Sequence, residues 1–184
     1  MRIVGGTWRG LTLAPVGEGD PKAHLRPTSD RVREAIFNLL VNGGYGNGVT
    51  DARVLDLFAG TGALGLEALS RGASTALLVD DGTAAAALIT RNMALCRTSA
   101  ARLLRRNATK LGVNTDAPYD LIFLDPPYGM GLGEAALTSA AGWFAPDALV
   151  VWEESSPPTA PPGFTQLDQR RYGDTVVTIL KAPA

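Results

Sequence analysis

The sequence holds few of the side chains that bind metals or form covalent catalytic pairs. Among its 184 residues there is one cysteine, Cys96, and one histidine, His24. A single cysteine excludes an internal disulfide and a cysteine-based metal cluster, and a single histidine argues against zinc sites and serine-histidine catalysis. We therefore expect a protein that binds no metal.

Long apolar runs are also missing. No segment approaches the roughly 20 consecutive apolar residues that span a bilayer, and the first residues lack the apolar core of a signal peptide. With 46% apolar and 19% charged residues, the composition is that of an ordinary globular protein. The sequence thus predicts one cytoplasmic domain with a short appendage.

Basic and acidic residues are separated along the chain, although the net charge is only -1. Residues 91–110 hold six Lys or Arg and no acid, whereas residues 111–169 hold no Lys or Arg. This separation predicts a basic face that can meet phosphates. Solvated helix faces would give similar charge runs.

Strand-like and helical segments alternate along most of the chain. Apolar runs predict strands at 54–57, 76–79, 102–106, 121–124 and 149–152, and helical spacing predicts helices at 29–41, 63–70, 83–96 and 134–143. This alternation is typical of a mostly parallel sheet with helices on both faces. Two further runs, 164–171 and 175–180, flank a turn and predict an antiparallel hairpin that completes a seven-stranded sheet.

The first residues differ from this pattern. Residues 1–13 contain two short β-prone runs around Gly5 and Gly6, which predicts a small hairpin. Residues 15–21 are rich in glycine and proline, as linkers are. We accordingly divide the chain into an N-terminal β-hairpin extension with its linker, 1–24, and a main α/β domain, 25–184.

A glycine-rich turn at residues 56–65 follows a predicted strand and opens a helix. Open α/β sheets bind ligands at such turns, and Gly60 and Gly62 let a ligand lie against the backbone. The spacing also fits the dinucleotide pattern G-x-G-x-x-G, so a nicotinamide enzyme is one interpretation. Asp56 before the turn and Asp80 after the next strand favour S-adenosylmethionine, whose amino-acid end and ribose hydroxyls they would hold. The predicted cofactor turn comprises Phe58, Ala59, Gly60 and Gly62.

A second motif, Asp125-Pro126-Pro127-Tyr128, ends another predicted buried strand. An amino group on a base is a poor nucleophile, because its lone pair is delocalised into the ring. The Asp125 carboxylate and the Pro126 carbonyl can each accept one N–H and aim that lone pair at a methyl sulfonium, while Tyr128 stacks on the base. The two prolines stiffen the loop. This motif predicts methylation of a base amine from S-adenosylmethionine.

Asn107 and Ala108 follow the third predicted strand, at the place where related folds contact adenine. The side-chain amide of Asn107 can read a purine edge. Asparagine is also a common turn residue. The sequence leaves both interpretations open.

The chain resembles the bacterial RsmD family of 16S ribosomal RNA guanine-N2 methyltransferases along essentially its whole length. The matching segments are 2–10, 26–38, 56–65 and 125–128. The resemblance implies the Rossmann-like class I methyltransferase fold, S-adenosyl-L-methionine as cofactor, and one guanine of 16S rRNA as substrate. It implies cofactor roles for Asp56, Gly60, Gly62 and Asp80, and catalysis by residues 125–128. We expect a monomer whose partner is 16S rRNA or the assembling small ribosomal subunit, without membrane contact.

Several basic and aromatic residues are candidate contacts. Thr28 and Arg31 are candidates to contact the cofactor carboxylate, and Arg33 or Arg26 is a candidate to meet RNA phosphate. The helix could instead be a scaffold whose arginine side chains cover apolar surface. Trp8 could likewise pack the hairpin against the main domain, since a tryptophan in such a hairpin does so at least as often as it contacts a base. The predicted RNA contacts are Trp8, Arg9, Arg26, Arg31, Arg33, Arg105 and Arg106.

Other functions are compatible with the sequence. The same loop chemistry serves an adenine-N6 amine in DNA or RNA, or a protein glutamine amide, and a non-catalytic RNA-binding assembly factor could keep the fold. Methylation at cytosine C5 needs a thiolate nucleophile, but Cys96 lies on a predicted helix away from the strand ends. The basic face favours a nucleic-acid substrate over a protein.

Overall fold

The computed structural model describes residues 1–17 and 28–184, so Arg26 and the predicted domain boundary lie outside the described residues. The four helices of this part are α1 (Asp30–Asn42), α2 (Ala63–Ser70), α3 (Thr83–Leu95) and α4 (Leu132–Ser139). The seven strands are β1 (Arg53–Leu57), β2 (Thr75–Val79), β3 (Ala101–Leu104), β4 (Tyr119–Leu124), β5 (Phe144–Glu154), β6 (Thr165–Tyr172) and β7 (Thr175–Lys181). Within the described residues, no helix is long and apolar enough to cross a membrane.

All seven strands form one sheet, in the order β3-β2-β1-β4-β5-β7-β6. Strands β1 to β5 pair in parallel, and β7 pairs antiparallel with both β5 and β6. The mostly parallel sheet with an antiparallel C-terminal hairpin is therefore confirmed. The strand order reverses at β1 and β4, and open sheets form a ligand crevice at the carboxyl ends of such strands.

The central strands read as continuous apolar runs because both faces of the sheet are covered. Side chains of β4 alternate between two apolar layers: Leu121 and Phe123 pack with α1, α2 and α3, and Ile122 and Leu124 pack with α4. Burial on both faces fixes the strand register, since a shift by one residue would exchange the two sets of side chains. This rigid core holds the strand ends that carry the site.

The bounds of two elements were predicted wrongly. The helix predicted at 134–143 ends at Ser139, and the strand predicted at 149–152 is longer, because β5 begins at Phe144. Trp143 lies instead in the turn before β5, where its carbonyl accepts the Tyr119 N–H at 2.9 Å and its ring stacks on Tyr119 with centroids 6.2 Å apart. Its indole N–H also donates to the Gly112 carbonyl at 2.9 Å. The helical spacing of the alanines before Trp143 could not show these distant partners.

The predicted N-terminal hairpin is confirmed by an antiparallel bridge between Arg2 and Thr12. It packs on α2: the Val4 and Gly5 amides donate to the buried Glu67 carboxylate, both at 2.8 Å. Gly6 lies so close to α2 that a Cβ there would stand 1.8 Å from the Ser70 carbonyl oxygen. The hairpin is thus part of the core that covers one face of the sheet.

Candidate active site

Three predicted acids meet at the carboxyl edge of the sheet. Asp56 lies in β1, Asp80 directly follows β2, and Asp125 directly follows β4. The Asp125 amide donates to the Leu57 carbonyl at 3.4 Å, which holds the catalytic loop beside the glycine turn. The crevice predicted from the chain pattern therefore has its acids at adjacent strand ends.

The glycine turn has the shape of a ligand cradle. Gly60 and Gly62 have φ angles of 58° and 77°, and Phe58 also adopts a positive φ of 61°. A non-glycine residue in this region is strained, and such strain concentrates at ligand sites. A Cβ on Gly62 would stand 3.1 Å from Leu78. Gly62 must therefore be small to pack against the core, and the tight turn that the three positive φ angles produce fits the predicted group, which would lie against the backbone.

The turn is also fixed from behind. The buried side-chain amide of Asn92 donates to the Thr61 carbonyl at 2.9 Å, and its oxygen accepts the Ala14 N–H at 2.7 Å. One buried side chain thus joins the turn to the segment that follows the N-terminal hairpin. Nothing in the sequence singles out Asn92, since an asparagine inside a helix has no characteristic pattern.

Asp56 is 1% exposed, and its Oδ2 accepts the Gly65 N–H at 2.9 Å. Burial raises the pKa of this carboxyl from 3.8 to about 8, the Gly65 hydrogen bond opposes the rise, and the charges of Asp125 and Asp80 add to it. A cofactor ammonium would favour the ionised form by the opposite effect. The predicted contact with the amino-acid end of the cofactor remains a prediction.

The raised pKa of Asp56 makes stability depend on pH. Between about pH 4 and pH 8 the folded protein keeps a proton on Asp56 that the unfolded chain releases, so stability should fall as pH rises through this window. Asp56→Asn, which keeps an acceptor for the Gly65 N–H, should make the free energy of unfolding depend less on pH. Urea unfolding of the cofactor-free protein across this range measures the slope. If the slope of Asp56→Asn equalled that of the parent, the assignment would be contradicted. The control is Asp120→Asn at the exposed start of β4, which should keep the parental slope.

Asp80 connects the glycine turn to the residue that precedes α3 through its two carboxyl oxygens. Its Oδ2 accepts the Gly60 N–H and its Oδ1 accepts the Gly82 N–H, both at 2.9 Å. Burial raises the pKa of this half-buried carboxyl, and the two amide hydrogen bonds lower it. Asp80 thus lies against the glycine turn, where the predicted ribose contact would be made.

We expect Asp80→Ala to weaken S-adenosylmethionine binding by about 1.5–3 kcal/mol, the usual loss when hydrogen bonds to a charged group are removed. Titration calorimetry measures the change. Asp120→Ala, at the opposite edge of the sheet, should leave the affinity at the parental value. Unchanged affinity in Asp80→Ala would remove this residue from the cofactor site.

Asn107 has the turn role that the sequence left open. It caps a short 3₁₀ helix, Ala108–Lys110, by accepting the Thr109 N–H at 2.8 Å. Its amide nitrogen donates to Asp81 at 3.0 Å. Both ends of the side chain are therefore engaged within the protein, and a purine contact by Asn107 remains only a prediction. Ala108 is buried.

The Asp125-Pro126-Pro127-Tyr128 loop is held at both ends. Asp125 is half-buried at the end of β4. The Tyr128 hydroxyl lies 3.2 Å from Oγ1 of Thr175, at the start of β7. Just beyond the loop, the Gly129 N–H donates to the buried Glu154 carboxylate at 3.1 Å. The sheet thus orients the loop before any substrate arrives.

Two acids at the end of β5 were not among the predicted site residues. Glu153 is 2% exposed, and its carboxyl lies within hydrogen-bond distance of the Thr28 hydroxyl, at 3.1 Å. Glu154 holds the loop through Gly129. The sequence could have indicated these two acids, because they end an apolar run in the same way that Asp125 does. Thr28, predicted to contact the cofactor, instead contacts Asp125 and Glu153, and its cofactor role remains a prediction.

The structure separates the basic candidates of α1 and the hairpin. Arg33 is fully buried, and it donates to the Arg2 carbonyl and to Asp30. The predicted phosphate contact of Arg33 is therefore wrong, because this side chain joins α1 to the hairpin and offers no surface. Arg31 and Arg9 are exposed, whereas Trp8 is half-buried against the core.

Arg105 and Arg106 follow β3 and are exposed at the carboxyl edge of the sheet. Arg105 donates to the Thr83 hydroxyl at 3.2 Å, and Arg106 donates to the Leu111 carbonyl. Neither forms an ion pair with a described residue, so both guanidinium charges are available to an anionic partner. They lie on the edge that carries the glycine turn and the catalytic loop.

Comparisons with known proteins agree with this geometry. A family model described as conserved hypothetical protein 95 matches residues 1–181. The ribosomal RNA small subunit methyltransferase D of Escherichia coli K12 is 40% identical over 189 positions, covering 100% of this chain and 91% of that protein. The protein of the same name from Haemophilus influenzae is 33% identical, with 94% and 89% covered. The solved structure of Escherichia coli yhhF superposes with a TM-score of 0.82 at 37% identity, covering 100% and 98%.

Proposed function

Because the chain belongs to the RsmD family of ribosomal RNA small subunit methyltransferases, we propose that it methylates the exocyclic N2 amine of a guanine in 16S rRNA with S-adenosylmethionine. The observation that carries the proposal is the position of Asp125. It follows β4, the strand that lies directly beside β1 and its glycine turn. A base amine and a methyl donor can therefore be held next to each other.

The chain's own residues supply orientation. The Asp125 carboxylate and the Pro126 carbonyl would each accept one N–H of the guanine amine, which leaves the lone pair directed at the methyl group. Tyr128, held by Thr175, would stack on the base. The bound cofactor supplies the methyl sulfonium, so positioning accounts for most of the rate.

Cofactor binding is proposed for the glycine turn and its acids. The backbone at Phe58, Ala59, Gly60 and Gly62 would approach the cofactor closely, with Asp56 at its amino-acid end and Asp80 at its ribose. The positive φ angles of Phe58, Gly60 and Gly62 support this assignment, because they form a tight turn at the carboxyl end of β1. A dinucleotide enzyme would leave the Asp125 loop beside the turn without a role.

Methylation at cytosine C5 has no support in the site. Cys96 follows α3, away from the carboxyl edge, and burial raises its pKa to about 11. A thiolate would therefore be scarce at neutral pH. The proposed chemistry is limited to amines.

The test is incubation with isotope-labelled S-adenosylmethionine and one of three acceptors: 16S rRNA transcribed in vitro, unmethylated small subunits, or DNA. Nucleoside analysis then identifies the labelled product. N2-methylguanosine in the rRNA or subunit sample is the expected result. Labelled N6-methyladenosine would favour the adenine-N6 alternative, and no label together with no cofactor binding in calorimetry would favour a non-catalytic assembly factor.

RNA binding should depend on the basic pair beside the site. Replacing Arg105 and Arg106 with alanine should lower RNA affinity and reduce the slope of log K against log salt by about 0.7–0.9 for each phosphate that is no longer neutralised. Filter binding at several salt concentrations measures the slope. The matched control is Arg53 and Lys181 to alanine, which removes the same charge from the opposite edge. Equal slopes for both double variants would place Arg105 and Arg106 outside the interface.

A further inference from the structure

Glu153 is a buried carboxyl group beside the catalytic loop for which the proposed reaction has no use. It is the penultimate residue of β5, and the pairing of Leu124 with Trp152 places it next to Asp125. Only 2% of the residue is exposed. Burying an ionised carboxylate is costly unless it is paired, so its protonation state and its partners need an explanation.

The Thr28 hydroxyl connects Glu153 to Asp125. Its Oγ1 lies 3.1 and 3.3 Å from the two carboxyl oxygens of Glu153 and 3.3 Å from Oδ2 of Asp125. A threonine hydroxyl has one hydrogen to donate and two lone pairs that accept. One hydrogen cannot make a full hydrogen bond with two carboxylates. If one carboxyl carries a proton, it donates to Thr28 and Thr28 donates to the other, and both contacts are satisfied.

The surroundings decide which carboxyl holds this proton. Burial raises the pKa of Glu153 most, and the charges of Asp125 and Asp56 raise it further. The Thr28 hydrogen bond and the charge of Arg33 on α1 act in the opposite direction without cancelling the rise. Asp125 is only half-buried. The neutral form is therefore favoured at Glu153.

We propose that Glu153 is a positioning residue that holds one proton and, through the Thr28 hydroxyl, keeps Asp125 ionised and oriented toward the target amine. The proposal rests on the proposed function, because it assumes that Asp125 accepts an amine N–H. The Glu153 carboxyl donates to Thr28, and Thr28 donates to Oδ2 of Asp125. Loss of the Glu153 proton would make Thr28 turn toward Glu153, and Asp125 would lose the Thr28 hydrogen bond.

The decisive variant is Glu153→Gln, whose amide can still donate to Thr28 but cannot titrate. At saturating cofactor and RNA, the single-turnover rate of the parent should fall about tenfold per pH unit above the pKa of Glu153. Glu153→Gln should keep most of the neutral rate and lack this alkaline fall. A fall of the same size in the variant would overturn the proposal.

Two apolar variants test whether the residues act as one chain. Glu153→Leu and Thr28→Val should each lower the rate, and the double variant should be no slower than the worse single variant, because each already breaks the chain. Losses that multiply in the double variant would contradict the connection through Thr28.

Infrared spectroscopy of the cofactor-free protein tests the proton without any turnover. At neutral pH the parent should show a protonated-carboxyl carbonyl band that disappears in Glu153→Gln, and a separate contribution that disappears in Asp56→Asn. If the Glu153→Gln spectrum keeps every protonated-carboxyl band of the parent, the inference is wrong. Failure of the parent to methylate any RNA would instead refute the proposed function, and the infrared result would still decide whether Glu153 holds the proton.

Discussion

Replacing Asp125 with alanine is expected to lower the rate of methyl transfer by about 10²–10³-fold, the usual cost of removing one preorganised polar group. The carboxylate acts on the target amine, whose nitrogen gains positive charge only as it attacks. Removing it should therefore lower kcat and leave S-adenosylmethionine affinity nearly unchanged. Single-turnover assays at saturating cofactor, with calorimetry of cofactor binding, separate these two quantities.

The matched control for Asp125→Ala is Asp120→Ala in the same strand. Asp120 is exposed at the start of β4, whereas Asp125 follows its end, so the control removes the same group from the opposite edge of the sheet. The control should turn over like the parent. Near-parental turnover in Asp125→Ala would refute amine activation by this carboxylate, even though the family membership would stand.

Replacing Glu67 with alanine should lower the free energy of unfolding by about 3–5 kcal/mol, the range for breaking a buried charged pair. Glu67 is fully buried in α2. Its carboxylate accepts the Val4 and Gly5 amides and the Arg71 guanidinium, each at 2.8 Å. Alanine would leave two backbone N–H groups and one cation without their partner.

Urea unfolding measures this loss, with Glu34→Ala on the exposed face of α1 as control; a surface change of this kind usually shifts stability by less than about 0.5 kcal/mol. Hydrogen exchange at Val4 and Gly5 gives a local reading, because these amides should exchange faster when the hairpin detaches. Glu67→Gln, which keeps one acceptor oxygen, should fall between the parent and Glu67→Ala. Protection of both amides in Glu67→Ala would show that other contacts hold the hairpin.

The sequence by itself determined the sheet, the glycine turn and the catalytic loop. Each follows from residues that are neighbours in sequence. Apolar runs mark the strands that are buried on both faces, glycines mark the turn where φ is positive, and an acid directly after a strand marks the catalytic loop. Except for α4 and β5, the predicted bounds of the helices and strands agree with the structure to within two residues. These elements can be predicted from the sequence because the interactions that produce them are between residues close together in the chain.

Only the tertiary structure decided which side chains meet across the fold. Periodicity showed that Arg33 lies on a helix, but its burial depends on the hairpin that packs over it. The contact of Thr28 with Glu153 joins residues 125 positions apart, and that of Glu67 with Val4 joins residues 63 apart. The spacing of residues in the sequence cannot predict such pairs, because the strand order and the packing of α1 and the hairpin bring them together.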